Sequence, residues 1–382
     1  MKRFPILIAS IAMGCAMNVY AQSPLFRPAP GSPVTVGEGS GRVVLADINR
    51  DGRLDLLTQH LQRREVRVYL GDGTGRFAAA AGSPMTLAYS PGDIKLGDVN
   101  GDGRLDLCVT NSEGAAVDIF LGDGSGRFSP APGSPFVARA SADFTGQSLQ
   151  LADINEDGQL DIITTNNRQN AFATLIGNGR GGFSQGPTAT FPAGEGRYAF
   201  AFGDLDGDGH LDVVVVSGGA GELTGPGRMV VLRGDGKGAF KSSGETALPQ
   251  SPRYVTLGDL DGDGRTDIVI THGENLLSIL LNRSGGKFAP APASPYDLGG
   301  LAWAVVVADV NRDKQNDLVL ATENSVTVLL NGKSGLTPAA GSPFAAGPGA
   351  YYLAVGDINQ DGEPDVVASS FEGKAVTVLL HR

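Results

Sequence analysis

The sequence predicts an all-β protein: a seven-bladed β-propeller of four-stranded blades, with the ring closed by an N-terminal strand that completes the last blade. Three observations carry this. A nine-residue acidic loop recurs seven times along the 382 residues, at intervals of 48 to 55. Such a period marks a stacked-unit architecture in which no unit buries its core alone. Short apolar runs of strand length fill the space between copies, punctuated by turns in a chain with 56 Gly and 22 Pro. Finally, the seventh unit stops at AVTVLLHR, after its third strand, while the N-terminal SPLFRPAPGSPVTVG matches the fourth-strand segment GRFSPAPGSPFVA elsewhere. Leu25–Val36 is therefore expected to complete the seventh blade and remove the exposed edges.

The loop reads DLDGDGHLD from Asp204, and its relatives start at Asp47, Asp98, Asp153, Asp259, Asp309 and Asp357. Alternate side chains of a tight turn can aim oxygens at one centre, and glycine at position 6 permits the left-handed turn this needs. Ca²⁺ takes six to eight oxygens at about 2.3–2.6 Å, so the pattern suits it. The expected donors are positions 1, 3, 5 and 9 with the carbonyl of position 7. In the first copy these are Asp47, Asn49, Asp51, Arg53 and Asp55; in the second Asp98, Asn100, Asp102, Arg104 and Asp106; in the third Asp153, Asn155, Asp157, Gln159 and Asp161. In the fourth they are Asp204, Asp206, Asp208, His210 and Asp212, and in the fifth Asp259, Asp261, Asp263, Arg265 and Asp267. The sixth offers Asp309, Asn311, Asp313 and Asp317, and the seventh Asp357, Asn359, Asp361, Glu363 and Asp365. An EF-hand would need a bidentate Glu at position 12 and flanking helices. Thr58, Val109, Thr164, Val215, Ile270, Leu320 and Ala368 stand there, between strands. Up to seven Ca²⁺ are expected. The site at Asp309 is expected to be weakest, because Lys314 replaces the glycine and Asn316 an apolar residue.

Within a unit, a small aliphatic strand such as VVLAD or AVVVAD precedes the loop and suits the crowded inner rim. Position 2 is always aliphatic (Ile48, Val99, Ile154, Leu205, Leu260, Val310, Ile358), which should pin each loop to the core. A glycine-rich turn after the third strand ends in Phe77, Phe128, Phe183, Phe240 or Phe288, read as a plug between blades. No helix follows it, so phosphate binding is not implied.

Lys2, Arg3, the apolar run Phe4–Met17 and Val19-Tyr20-Ala21 read as a cleavable export signal over residues 1–21, leaving 22–382 as the propeller. Lipidation at Cys15 is disfavoured by the poor Ala12-Met13-Gly14 box, and no later stretch is apolar enough for a membrane helix. The protein is thus expected in the periplasm or outside the cell. Cys108 is then the sole thiol, in an apolar strand, so no internal disulfide can form and bound metal is the expected substitute. The net charge is −11, and more than half of the 41 acidic residues sit in the loops. Seven divalent ions would offset it. No basic cluster suits nucleic acid, and a monomer is expected.

The loops with their downstream G-x-G-x-F turns resemble the FG-GAP/VCBS family, the calcium-loop propeller also seen in the N-terminal head of integrin α chains. The resemblance covers nearly the whole mature chain. It implies metal loops between strands 1 and 2 on the bottom face, and ligands on the opposite face, at the 2→3 and 4→1 connections. That family includes adhesion proteins, lectin-like modules and some polysaccharide lyases, so it does not fix an activity.

For a ligand face the candidates are aromatics that precede inner strands, Tyr89, Phe144, Tyr198, Tyr254, Trp303 and Tyr351, which either ring the channel mouth for sugar stacking or seal adjacent blades. Polar residues of 2→3 turns add Arg63, Arg64, Asn166, Arg168, Glu222, Arg228 and Glu274. The favoured function is a non-catalytic module binding a protein or glycan. The alternative, a lyase-like enzyme, would require Arg63, Arg168, His60 and His272 to converge. His60 and His272 are otherwise read as ordinary surface residues.

Overall fold

The computed structural model describes residues 23–139, 148–165, 171–191, 198–218 and 227–382, with Tyr198 described by its backbone only. Every regular element among them is a strand, arranged as seven antiparallel sheets. Blade 1 runs Ser40–Ala46, Asp55–His60, Glu65–Gly71 and then Phe77–Ala79 with Met85–Thr86. Blades 2 to 6 begin their inner strands at Pro91–Gly97, Ser148–Ala152, Tyr198–Gly203, Pro252–Gly258 and Ala302–Ala308. Blade 7 is Ala350–Gly356, Asp365–Ser370 and Ala375–His381, completed by Phe26–Pro28 and Val34–Thr35. Phe26 faces His381 in register and Val34 faces Val376, so the two chain ends close the ring as expected.

The apolar pattern explains the ring. Seven buried clusters each combine side chains of two neighbouring blades, one per blade interface. The position-2 aliphatics are at most 8% exposed, and each lies in the cluster shared with the following blade. Phe77, Phe128, Phe183, Phe240 and Phe288 pack in the cluster shared with the preceding blade. Loop and plug therefore stitch consecutive interfaces together. Cys108 is fully buried in this packing, which pushes its thiol pKa up.

The fourth strand has a feature not foreseen. In blades 1, 2, 5, 6 and 7 it is split by a kink at Ser83-Pro84, Ser134-Pro135, Ser294-Pro295, Ser342-Pro343 and Ser32-Pro33, all cis. The kink removes a backbone acceptor from the third strand, and the serine hydroxyl replaces it. Val68, Ile119, Ile279, Val328 and Val378 donate their N–H groups to Ser83, Ser134, Ser294, Ser342 and Ser32 at 2.9–3.0 Å. Blades 3 and 4 lack this Ser-Pro and keep continuous strands, Phe183–Thr190 and Phe240–Leu248, each with a register shift.

Candidate metal loops and ligand face

Each acidic loop joins the first strand of a blade to the second, so all seven lie at the same end of the ring, together with the 3→4 turns. The position-9 aspartate organises each one. Asp55, Asp106, Asp161, Asp212, Asp267, Asp317 and Asp365 are fully buried. One carboxylate oxygen accepts the N–H of position 2, at 2.8–3.1 Å. The other accepts an N–H at or just beyond the end of the third strand, from Gly71, Gly122, Gly177, Gly234, Asn282, Asn331 or His381, at 2.8–3.0 Å. At Gly71 the backbones come so close that a Cβ would sit 2.1 Å from the Leu54 carbonyl. Position 9 is thus a clasp as well as a candidate ligand, a role the spacing alone did not reveal.

Positions 1, 3 and 5 shape the turn. Asp47 accepts the N–H groups of Asp51 and Gly52, and Asp51 accepts that of Arg53, at 2.8–3.1 Å. In five loops the Asn at position 3 donates its side-chain amide to the position-5 carboxylate, at 2.7–3.1 Å. Position 4 is left-handed throughout, with glycine in three loops and Arg50, Glu156, Arg312 or Gln360 in the others. Lys314 takes the left-handed geometry at φ 69°, and its N–H reaches Asp309 at 2.8 Å as the glycine does elsewhere. Asn316 donates to the Asp259 carbonyl of the preceding loop at 2.8 Å, so that departure gives an interblade hydrogen bond.

The donor set fits a hard cation. Carboxylate oxygens of Asp204, Asp206 and Asp208 lie within 4.8 Å of one another, as do those of Asp259, Asp261 and Asp267. Burial, with repulsion from neighbouring loop carboxylates, pushes Asp317 and Asp365 up to about 6, and burial raises the other position-9 groups too. A bound divalent ion would relieve that repulsion. Side chains from position 4 bridge adjacent loops: Glu156 meets His210, Arg312 meets Glu363 at 2.9 Å, and Gln360 donates to the Gly52 carbonyl at 2.7 Å.

At the opposite end, the aromatic candidates take different places. Arg253 lies over the Trp303 ring at 4.3 Å, Trp303 stacks on Tyr351 at 4.9 Å, and Tyr351 meets Tyr352 at 4.8 Å and Phe371 at 6.0 Å. Arg42 continues the series, 4.7 Å over Tyr352, and its Nε lies 2.6 Å from the buried Asp93. Burial would lower the Arg42 pKa, but Asp93 and the facing tyrosines outweigh it and keep the guanidinium charged. This ladder spans blades 5, 6, 7, 1 and 2. Tyr254 is half-buried beside Arg42 and Asp93. Tyr89 instead packs against the cluster between blades 1 and 2, its hydroxyl toward Asp118; of the two roles weighed for it, sealing wins. Trp303 is half-buried, its ring engaged by both Arg253 and Tyr351. Phe371, at 38% exposure, is the open end of the ladder. It was missed because it follows a strand instead of preceding one.

Arg63 and Arg228 are about half exposed and pair with Glu38 and Glu245 at 3.8 and 3.5 Å. Phe144, Asn166, Arg168 and Glu222 lie outside the described residues. The reading of His60 and His272 as surface residues is corrected: both are fully buried at the ends of second strands. His60 lies 2.9 Å from the Thr58 hydroxyl and 3.0 Å from the Glu38 carbonyl. His272 lies 2.9 Å from the Ser278 hydroxyl and 3.3 Å from the Gln250 carbonyl. They sit in blades 1 and 5 and are sealed inside separate sheets, so they do not supply the convergent base that a lyase-like site would need.

The FG-GAP-like repeat profile matches residues 47–109, 98–164, 153–215, 220–270, 259–320 and 309–368. No curated protein matches the chain. Among solved structures, BBS1N in complex with ARL6DN, soaked with lead, is similar with a TM-score of 0.63 at 14% identity, covering 94% of this chain and 97% of that one. A lectin from Agrocybe aegerita, described as recognising non-reducing terminal N-acetylglucosamine, is similar with a TM-score of 0.56 at 19% identity, covering 89% of this chain and 87% of that one. At these identities the likeness is one of fold. The described residues hold no helix long and apolar enough to cross a membrane. The matched repeats cover most of the sequence, each with its acidic loop between the first two strands of a blade: the chain belongs to the FG-GAP-like repeat family.

Proposed function

We propose that the protein is an exported, calcium-loaded recognition module that works as a monomer and binds a glycan or protein on the face opposite the metal loops. The ladder from Arg253 to Phe371 carries this reading. It leaves a large aromatic ring open at one end of a continuous series of packed side chains, on the face where the 2→3 turns gather. Exposed aromatics on pre-ordered supports suit recognition, because little side-chain freedom is lost on binding. The solved relatives support the class: one is a complex with a protein and the other a glycan-recognising lectin. The oxygen-only donor sets support calcium, and the N-terminal sequence supports export with Gln22 as the mature start. The seven loops then hold the scaffold while the other face reads the ligand.

Glycan-array binding by the calcium-loaded protein tests this. Binding that is lost in Phe371→Ser and weakened by EDTA, with the variant's melting temperature unchanged, is the expected result. Equal binding by Phe371→Ser and the parent would move the ligand site elsewhere. A silent array would reject the glycan, and cross-linking at position 371 on intact cells would then test a protein ligand.

A further inference from the structure

Two loops differ from the rest in charge. Loops 4 and 5 carry a fourth carboxylate at position 3, Asp206 and Asp261, where the other five have Asn. In each of the two an arginine meets that extra carboxylate: Arg233 lies 3.4 Å from Asp206, and Arg283 lies 3.0 Å from Asp261. Asn adds no charge at position 3, and Asp with Arg adds none either. Position 3 with its partner therefore contributes little net charge in any of the seven loops.

The two arginines are not equivalent. Arg283 is 47% exposed, and its pairing is a surface one. Arg233 is 18% exposed and occupies a third-strand position that is Leu70, Leu121, Ile176, Leu281, Leu330 or Leu380 in the other blades. Those aliphatics belong to the interblade packing. Arg233 points its guanidinium back into the loop, donating to the position-9 Asp212 as well as approaching Asp206, and its other amino group donates to the Gly286 carbonyl of blade 5 at 3.3 Å. The carboxylates follow suit. In loop 5 the position-9 Asp267 converges with Asp259 and Asp261, whereas in loop 4 the converging group is Asp204, Asp206 and Asp208, without Asp212.

We propose that Arg233 is a tethered counter-cation of the fourth loop, which stands in for part of a metal ion's charge, holds that loop together without metal and sets its calcium affinity below that of the unopposed four-aspartate set. This rests on the calcium reading above. The Arg233→Leu variant then changes two properties in opposite directions. Without calcium, four carboxylates are left unbalanced and the melting temperature falls. With calcium, the site gains one net negative charge, and at low salt a unit charge a few ångströms from a divalent ion is worth at least about a tenfold change in affinity. An arginine that only packs between blades would lower stability in both conditions and leave affinity unchanged.

The experiment uses calcium ions as the probe, counted on the full mature chain by native mass spectrometry across graded free calcium, with thermal melts in EDTA alongside. Arg233→Leu is expected to fill one site at a calcium concentration about tenfold lower than the parent while melting earlier in EDTA. The Asp206→Asn/Arg233→Leu double variant, which recreates the Asn-type loop, is expected to regain most of the EDTA stability. Asp206→Asn alone, which leaves the guanidinium in excess, is expected to fill one site later than the parent and provides the test if Arg233→Leu does not fold. Calcium uptake unchanged in both single variants, or a double variant no more stable in EDTA than Arg233→Leu, overturns the proposal. Absence of calcium uptake by the parent and every variant would overturn the calcium reading along with it.

Discussion

Replacing Asp106 by alanine should unfold the protein more readily even when no metal is available. Asp106 is fully buried, and its two oxygens accept the N–H groups of Val99 at 3.0 Å and Gly122 at 2.9 Å. Alanine would strand both donors where water does not reach, at about 1–3 kcal/mol each. Burial holds the Asp106 carboxyl above its usual range, so removing the charge returns part of that cost. The net loss should be about 3 kcal/mol. Asp102, at position 5 of the same loop, is one-third exposed and serves the exposed turn. Asp102→Ala should therefore cost under about 0.5 kcal/mol in EDTA and become costly only with calcium. Urea titrations at pH 8, in EDTA and in calcium, measure both. If the two variants lose the same stability in EDTA, the clasp argument is wrong.

Other outcomes follow from the same geometry. Phe26 is 2% exposed, edge-on to Phe344 and His381 at the ring closure; Phe26→Ala should cost about 3–5 kcal/mol, read by denaturant unfolding, with limited proteolysis cutting first in the N-terminal segment. Burial pushes His272 down to about 4. Between that value and its ordinary 6.5 the unfolded chain takes up a proton that the folded one refuses, so its contribution to stability falls as pH drops from about 6.5 to 4, by up to about 3 kcal/mol. Melts in EDTA across this range should show His272→Gln losing less stability on acidification than the parent. Lys314→Gly should remove about 1 kcal/mol of left-handed strain at φ 69°, and a calcium-soaked crystal should show the Asp309 site filling last in the parent chain.

The ring, its blade number and its closure were legible because the signal repeats. Seven copies of one loop and a misplaced fourth-strand segment at the N-terminus leave few alternatives. Single residues were harder to read. His60 and His272 look like surface letters, but a propeller sheet is covered on both faces by its neighbours, so strand alternation does not mark exposure. The position-9 clasp was hidden for a different reason. A ligand pattern and a backbone-acceptor pattern place Asp at the same spot, and only the buried N–H groups around it separate the roles. Ser83 and its four counterparts were visible in a Ser-Pro pair, preceded by Gly in all but Ser294, yet their use as acceptors needs the third-strand register. Tyr89 stands before its inner strand, nine residues ahead of Asp98, whereas Trp303 lies within its own, six ahead of Asp309, so the two take different packing partners.

The central claim is that calcium, bound in the acidic loops, holds together a ring that lacks disulfides. A melting curve of the mature chain, stripped with chelator and then reloaded, addresses it most directly. A site occupied at about 100 times its dissociation constant contributes about 2.7 kcal/mol. Two or three such sites contribute about 5–8 kcal/mol, which for a chain of this size should raise the melting temperature by about 7–11 °C, reversibly and for calcium at low millimolar concentration. Identical curves in EDTA and in calcium would contradict the account.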